Sequence, residues 1–339
     1  MSVRKARVEP SLGARVVHRT PLHYARGADA SIDRPAHVRA GSALARLGAT
    51  TLAVVQDDAS FLALLENVGS AIAVRDVPFP AHDSVRQFDD TRGNKRSKLD
   101  LEACVACDGT LIAFGSGSSR LRERIVLVDR PLEPSPHVTV THAPALYAAM
   151  RSEALFSGSE LNIEGAALAG EDVLFLQRGN GAKSAEREPV DASARVDRTA
   201  LLAYLRGLAR GDTTPPPCPA LRDIVQWDLG AAAGTRLTFT DAVSTGTRWT
   251  AFLACAEASP DATRDGPVSG VSIGRLDDRL GEAELGVITD ERGAPLLDKA
   301  EGLALDEHDA RRAWLVIDRD APACPAELLE LRLGDRWQT

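Results

Sequence analysis

The sequence predicts an all-β chain: a β-propeller of about five four-stranded blades, with six as the alternative. A strand from the N-terminus closes it, and short helical insertions interrupt it. Three observations lead there: a repeated strand-start motif, short apolar runs between its copies, and an incomplete last copy. The motif reads RAGSALA at residues 39–45, LDLEACVA at 99–106, NIEGAALAG at 162–170, TFTDAV at 238–243 and KAEGLAL at 299–305. Aligned on Ser42, Glu102, Glu164, Asp241 and Glu301, the copies lie 60, 62, 77 and 60 residues apart. Each is followed 16 or 17 residues later by a second polar position: Asp58, Ser118, Asn180, Glu257 and Asp318. Such recurrence marks a supersecondary unit that buries its apolar faces only by stacking on its neighbours.

Between the polar positions lie apolar runs of strand length. They fall at 52–55, 61–65 and 71–74 in the first unit, and at 111–114, 125–128 and 138–140 in the second. Turn-formers such as Asp57-Asp58-Ala59-Ser60 and Cys107-Asp108-Gly109 separate them. Each unit therefore reads as an antiparallel meander of about four strands, and radial closure would protect the edges of such sheets. A period near 60 residues exceeds the roughly 40–45 of common propeller blades, so long loops are expected. The last unit offers strand candidates only at 300–305, 314–317 and 328–333, and ARVVH at 14–18 is the natural fourth.

The long third step contains a helical pattern. Leu201, Leu202, Leu205 and Leu208 share one helical face, with Asp197 placed to cap the start and Gly211 the end. The run TTPPPCP at 213–219 then stops any helix. A helical turn or two is expected at 145–150, and residues 179–196 read as a polar, mobile loop. Residues 1–339 are thus expected to form a single propeller domain with a helical insertion at about 192–220.

Composition narrows the function. Hydrophobic residues make up 44% but aromatics only 4%, so the core must be built from Ala, Val, Leu and Ile. A net charge of −8 argues against sequence-independent nucleic-acid binding, which needs clustered cations. No apolar run approaches the roughly 20 residues of a membrane span. The basic N-terminus lacks an apolar stretch after its charges, so a cytoplasmic protein is expected. Cys104 and Cys107 form a C-x2-C inside an apolar strand pattern, where residues three apart face opposite ways, and no second pair completes a zinc site. The seven histidines, His82 among them, show no metal-binding i,i+4 spacing.

In an up-down meander the start of one strand and the end of the next share a sheet edge. Both polar clusters of every unit should then surround one mouth of the central channel, within about 10 Å of one another. The gathered carboxylates would be Asp57, Asp58, Glu102, Glu164, Asp241, Glu257, Glu301, Asp318 and Asp320, accompanied by Asp100, Asn162 and Lys299 on the same strand faces. Carboxylates so crowded raise one another's pKa unless a cation intervenes, and calcium with oxygen ligands resolves the conflict. Glu102, Glu164, Asp241 and Glu301 are assigned to the metal, and Asp318 or Glu257 to a general base. Arg120, Arg178, Asn180 and Lys299 are assigned to an anionic ligand. No EF-hand spacing supports the ion, and the same acids would also serve as blade-to-blade hydrogen-bond acceptors. GSGSSR at 115–120 fits neither a P-loop nor a G-x-S-x-G elbow, which leaves Ser116 and Ser118 as minor nucleophile candidates.

KAEGLAL, followed by WLVIDRDAPACPAELLELRL at 314–333, resembles the bacterial phytase-like β-propellers, often labelled esterase-like. These carry a similar pattern of EG-[LI]-A followed by L-x-V-[ST]-D-[ND]. NIEGAALAG and LEACVACDGTLIAFGSGSSR are similar to the inner-strand motifs of that group. The resemblance covers five short segments between residues 39 and 333, and the first copy departs from it in having Ser42 in place of the acid. It implies a calcium-binding or ester-hydrolysing propeller with Glu102, Glu164 and Glu301 at the motif's acidic positions. The expected function is a metal-assisted hydrolase of a small anionic ester, phosphoester or lactone. The alternative is a non-catalytic propeller that docks a metabolite or a protein, and a lyase or isomerase using Lys299 is a third reading.

Overall fold

The structure is a computed structural model that describes residues 3–81, 84–262, 264 and 266–338; His82 lies outside them. Strand β1 (Ala14–Pro21) leads into a first sheet of β2 (Gly41–Gly48), β3 (Thr51–Gln56), β4 (Phe61–Glu66) and β5 (Ala73–Pro78). A second sheet holds β6 (Leu101–Cys107), β7 (Thr110–Gly115), β8 (Arg124–Asp129) and β9 (His137–His142). The third group is β10 (Ile163–Ala169), β11 (Asp172–Gln177), β12 (Asp191–Asp197) and β13 (Arg222–Asp228). The fourth is β14 (Thr238–Ser244), β15 (Thr250–Glu257), β16 (Val268–Asp277) and β17 (Glu282–Thr289). The chain ends in β18 (Lys299–Leu305), β19 (Arg312–Asp318) and β20 (Glu327–Leu333). Within each group, successive strands pair antiparallel. The architecture is all-β and propeller-like.

β1 supplies the partner that β20 lacks: Leu328 pairs with Thr20 and Leu331 with Val16, antiparallel. The rest of the N-terminal segment is also employed. Arg4 and Lys5 pair parallel with Trp227 and Asp228 on β13, and Arg7 and Val8 pair with Glu284 and Leu285 on β17. Ala14 and Arg15 then bridge to Ile288 and Thr289, joining the fourth and fifth groups into one continuous sheet.

The first strands of the groups, β2, β6, β10, β14 and β18, pack against one another in cyclic order, β18 returning to β2. Their sequences are rich in Ala and Gly because the approach is close. A Cβ on Gly165 would lie 3.0 Å from the Ala242 nitrogen, and one on Gly302 would lie 2.7 Å from the Leu44 nitrogen. Each inner strand also carries a bulge near its start, where the register skips Ser42, Glu102, Glu164, Thr240 and Glu301. A bulge turns its extra residue out of the ladder and re-aims its side chain. The fourth copy is therefore registered on Thr240, and Asp241 occupies the place held by Gly165 and Gly302 in their strands.

Apolar faces fill the spaces between neighbouring sheets. Val, Leu, Ile and Ala dominate, with edge-to-face pairs Phe114–Phe175 and Phe239–Phe252 at 5.0 and 5.2 Å. Helices α1 (Pro144–Ser152) and α2 (Ala154–Ser157) follow β9, and α3 (Arg198–Arg210) lies between β12 and β13. Leu201, Leu202, Tyr204 and Leu205 of α3 are buried. The Asp197 side chain accepts the Ala200 N–H at 2.8 Å, and Gly211 ends the helix at φ 74°.

Residues 191–197 correct the expected mobile loop of 179–196: they form β12, buried over Asp191–Val196. Ala192, Ala194 and Val196 alternate onto the core. The polar residues between them are satisfied internally. Asp191 accepts the Gly179 and Phe239 N–H groups, Ser193 accepts the Trp227 indole, and Arg195 binds Asp278 and Asp172. Among the described residues no helix is long and apolar enough to cross a membrane.

Because backbone cannot yield as a side chain can, Gly302→Ala is expected to cost about 1–3 kcal/mol of stability by overpacking. Gly48→Ala, whose Cβ would meet its nearest atom at 3.9 Å, is expected to be near neutral. Urea-unfolding midpoints of the two variants measure the difference.

Candidate functional site

The bulges open a cavity of about 230 Å³ at the start of the inner strands, lined by residues of the first, second, third and fifth groups and of nearby loops. Among its walls are Asp57, Asp58, Asp100, Glu102, Asn162, Glu164, Arg178, Asn180, Lys299, Glu301, Asp318 and Asp320. The meander geometry accounts for this. Asp57 and Asp58 follow the end of β3, Arg178 and Asn180 follow β11, and Asp318 ends β19, each beside the start of the strand it pairs with.

Three of the expected metal ligands come together. Glu102, Glu164 and Glu301 each place a carboxylate oxygen within 4.8 Å of the others. Glu164 Oε1 accepts the Asn162 amide at 2.7 Å and faces Arg178 Nη1 at 3.3 Å, while its Oε2, fully buried, has no partner. Glu301 Oε1 is likewise without a hydrogen bond, 3.7 Å from the Lys299 ammonium. A second trio, Asp57, Asp100 and Glu102, shares Glu102 with the first.

The fourth expected ligand does not join them. Asp241 is fully buried outside the cavity, and its carboxylate accepts the Leu303 N–H at 2.6 Å and the Ala242 N–H at 2.7 Å. It caps the backbone of the neighbouring inner strand because its register, one residue past the bulge, points it between strands. The true bulge residues of β2 and β14 are hydroxyls that bridge neighbours. Ser42 Oγ donates to the Leu101 carbonyl at 2.5 Å, and Thr240 Oγ1 to the Ala300 carbonyl at 2.8 Å.

Two further assignments are corrected. Glu257 does not line the cavity: one oxygen holds the Arg178 guanidinium and the other accepts the Gly266 N–H at 2.8 Å, which turns its carboxylate away from the space a water would occupy. It positions Arg178, which also reaches Glu164 and Thr238. Arg120 is exposed in a 3₁₀ turn after Ser119. Two residues on, Arg122 lines the cavity and lies 3.0 Å from Asp100 Oδ2. Ser116 donates to Asp100 and lies 2.9 Å from Ser118 Oγ, and so is spent on structure. Lys98, also missed in the sequence, sits 2.5 Å from Asp57 and 2.8 Å from Asp100. Lys299 stands 3.2 Å from Asp320 and 3.8 Å from Asp318.

Electrostatics follow from burial. Burial, then Asp57, Asp100 and Glu164, push Glu102 well above the usual carboxylate range. Burial does the same to Glu301 against the pull of Lys299. Glu164 is raised to about 7 by burial, with Arg178 and Lys299 opposing. Asp58 rises to about 6 for the same first reason, although Arg39 binds its Oδ2 at 2.5 Å. Burial also raises Asp57 and Asp318. Asp100 goes the other way: Lys98 and Arg122 outweigh its burial and hold its pKa low. The trio of glutamates is thus under-neutralised. That is the donor set a hard divalent cation takes, all oxygen, with two buried oxygens free of hydrogen bonds.

Residues 37–333 match the model of a family of unknown function, DUF6929. The chain belongs to that family. Comparison with curated proteins finds no match. Among solved structures, similar chains include a structural-genomics protein of unknown function from Bacteroides thetaiotaomicron VPI-5482. It is 11% identical with a TM-score of 0.41, covering 93% of this chain and 76% of that one. YCF48 from Cyanidioschyzon merolae is 11% identical with a TM-score of 0.33, covering 86% and 69%. Apo AztD from Citrobacter koseri is 10% identical with a TM-score of 0.30, covering 81% and 80%. At these scores the likenesses carry no argument about the site, which rests on the DUF6929 chain's own geometry.

A carboxyl whose folded pKa lies above its unfolded value binds a proton in the native state alone between the two, so its contribution is complete below the unfolded pKa and lost as pH rises through the folded one. Stripped of divalent cations, the protein is expected to melt at falling temperature as pH rises from about 4 toward 7, the window set by the unfolded carboxyls and by Glu164 at about 7. Glu164→Gln is expected to flatten that slope in differential scanning calorimetry. An unchanged slope contradicts the assignment.

Proposed function

We propose that this chain is a five-bladed propeller that binds a divalent cation, calcium, at its channel mouth and hydrolyses a small anionic ester, phosphoester or lactone there. The blade count is supported by the cyclic packing of β2, β6, β10, β14 and β18 and by the pairing of β1 with β20. The likeness to phytase-like propellers accords with Glu102, Glu164 and Glu301 at the acidic positions of the repeat. The observation that carries the cation is the pair of buried oxygens that make no hydrogen bond, Glu164 Oε2 and Glu301 Oε1, within one carboxylate trio.

Glu102, Glu164 and Glu301 would hold the ion, with water completing the six to eight oxygens calcium takes. When bound, such an ion supplies Lewis acidity, polarising the ester oxygen and lowering the pKa of water. The chain's own residues do the rest. Hydrolysis consumes one water, whose oxygen bonds to the acyl carbon or phosphorus as the ester bond breaks. One water proton passes to a base and the leaving oxygen gains another. Asp318 fits the base: it lines the cavity, its pKa is raised by burial, and Oδ1 is steadied by the Asp320 N–H at 2.9 Å. Asp58 offers a second acceptor, with Oδ1 unpartnered and a pKa of about 6. Lys299 and Asn180, both lining the cavity, are placed to orient the ligand anion, and the Glu257–Arg178 pair fixes the Glu164 carboxylate.

The non-catalytic reading keeps one favouring observation: Ser116, Arg178 and Glu257 are all engaged in internal bonds. Two measurements decide. Calcium at one hundred times its Kd is expected to stabilise chelator-stripped protein by about 2.7 kcal/mol, and Glu164→Gln and Glu301→Gln to lose that gain. No thermal shift at millimolar calcium defeats the cation. In a screen of chromogenic esters, phosphoesters and lactones, calcium-dependent turnover is expected to fall about 100-fold or more in Asp318→Asn. Calcium binding without turnover leaves the protein a ligand-binding propeller.

A further inference from the structure

Two carboxylate trios share Glu102, yet they are not equivalent. In the first trio two buried oxygens, Glu164 Oε2 and Glu301 Oε1, make no hydrogen bond, against one, Asp57 Oδ1, in the second. In the second, the Lys98 ammonium already lies between its members, 2.5 Å from Asp57 Oδ2 and 2.8 Å from Asp100 Oδ1. The Lys98 side chain is only 8% exposed, so solvent does not compete for it. Arg122 adds a second positive group at 3.0 Å from the other Asp100 oxygen. Adjacent cation sites that share a carboxylate are the usual frame of a two-metal centre, with ions roughly 3.5–4 Å apart.

We propose that Lys98 is a built-in counter-ion occupying the second cation site of a two-site frame, so that the protein takes one divalent ion where Asp57, Asp100, Glu102, Glu164 and Glu301 alone would take two. This rests on the cation reading of the three glutamates and extends it. The ammonium is tethered and desolvated, so its site is filled at every metal concentration. It also leaves a fixed positive pole beside the exchangeable ion, against which a ligand anion can be bridged. Lys98 is therefore the residue that sets metal stoichiometry: without it, three carboxylates face one another with Arg122 beside Asp100 and Lys299 acting on Asp57 from farther off, and a second hard cation becomes the natural neutraliser.

The test is calorimetric titration of the full-length, chelator-stripped protein with calcium alone. Wild type is expected to bind one ion and Lys98→Gln two, with a second heat absent from wild type. One ion in both, or two in wild type, overturns the proposal. No ion in wild type but one in Lys98→Gln defeats the glutamate site while upholding the role of Lys98; no ion in either defeats both. Should Lys98→Gln not fold, wild-type crystals soaked in manganese answer the same question. One anomalous peak among Glu102, Glu164 and Glu301 with the ammonium still on Asp57 and Asp100 supports the proposal, and a peak between Asp57 and Asp100 overturns it.

Discussion

The structure depends on how closely its inner strands approach one another. Where a Cβ would come within 3.0 Å of the next strand's backbone, only glycine is accommodated, as at Gly165 and Gly302. That crowding shapes the strand starts, where each inner strand adds one residue to its ladder and turns a side chain toward the axis. Glutamate at such a position is aimed at its counterparts by the backbone itself, and the Glu-Gly pair of the motif is one device: the acid projects and the glycine lets the neighbour pass. Hydroxyls at the same position, Ser42 and Thr240, instead tie adjacent strands through carbonyls. The same backbone feature yields a polar pocket on some strands and a structural rivet on others.

Around the axis, charge is arranged in two tiers. The outer acids are matched: Asp58 and Asp89 to Arg39, Asp100 to Lys98 and Arg122, Glu257 to Arg178. Of the three central glutamates, Glu164 has Arg178 at 3.3 Å, shared with Glu257, Glu301 has Lys299 at 3.7 Å and Glu102 feels Lys98, and burial outweighs all three. Such an arrangement is costly to fold unless something positive arrives, whether protons or an ion. The pocket is thus built around an incomplete neutralisation whose completion is left to solution.

Much of this was legible in the sequence. The strand-start repeat located every inner strand, ARVVH marked the closing strand, and Asp197 and Gly211 bracketed the helix. What escaped has physical reasons. Asp241 and Thr240 are adjacent polar residues, and a bulge decides which of them faces the axis. A one-residue shift in register reverses the faces, and composition does not reveal it. β12 escaped because its buried polar face, Asp191, Ser193 and Arg195, is satisfied by partners distant in sequence. Lys98 and Arg122 lie outside the repeat positions, in connections that reach the cavity wall, where spacing carries no signal. Glu257 looked like a base because its role as the holder of Arg178 needs a contact 79 positions away.

The N-terminal segment has a bearing on how the molecule is made. Its strands lie on the edges of β13, β17 and β20, and Leu12 accepts the Trp337 indole from 325 positions away. β1 therefore gains its antiparallel partner only once β20 has been made, whereas residues 4–8 find theirs earlier, on β13 and β17. Until β20 is made the facing edge of β1 stays open to pairing with other chains, and contacts so distant in sequence form slowly. The long separation between β1 and β20 makes this pairing one of the most non-local contacts of the fold. A strand edge that must wait for so distant a partner is the part of a nascent chain most open to pairing with another copy.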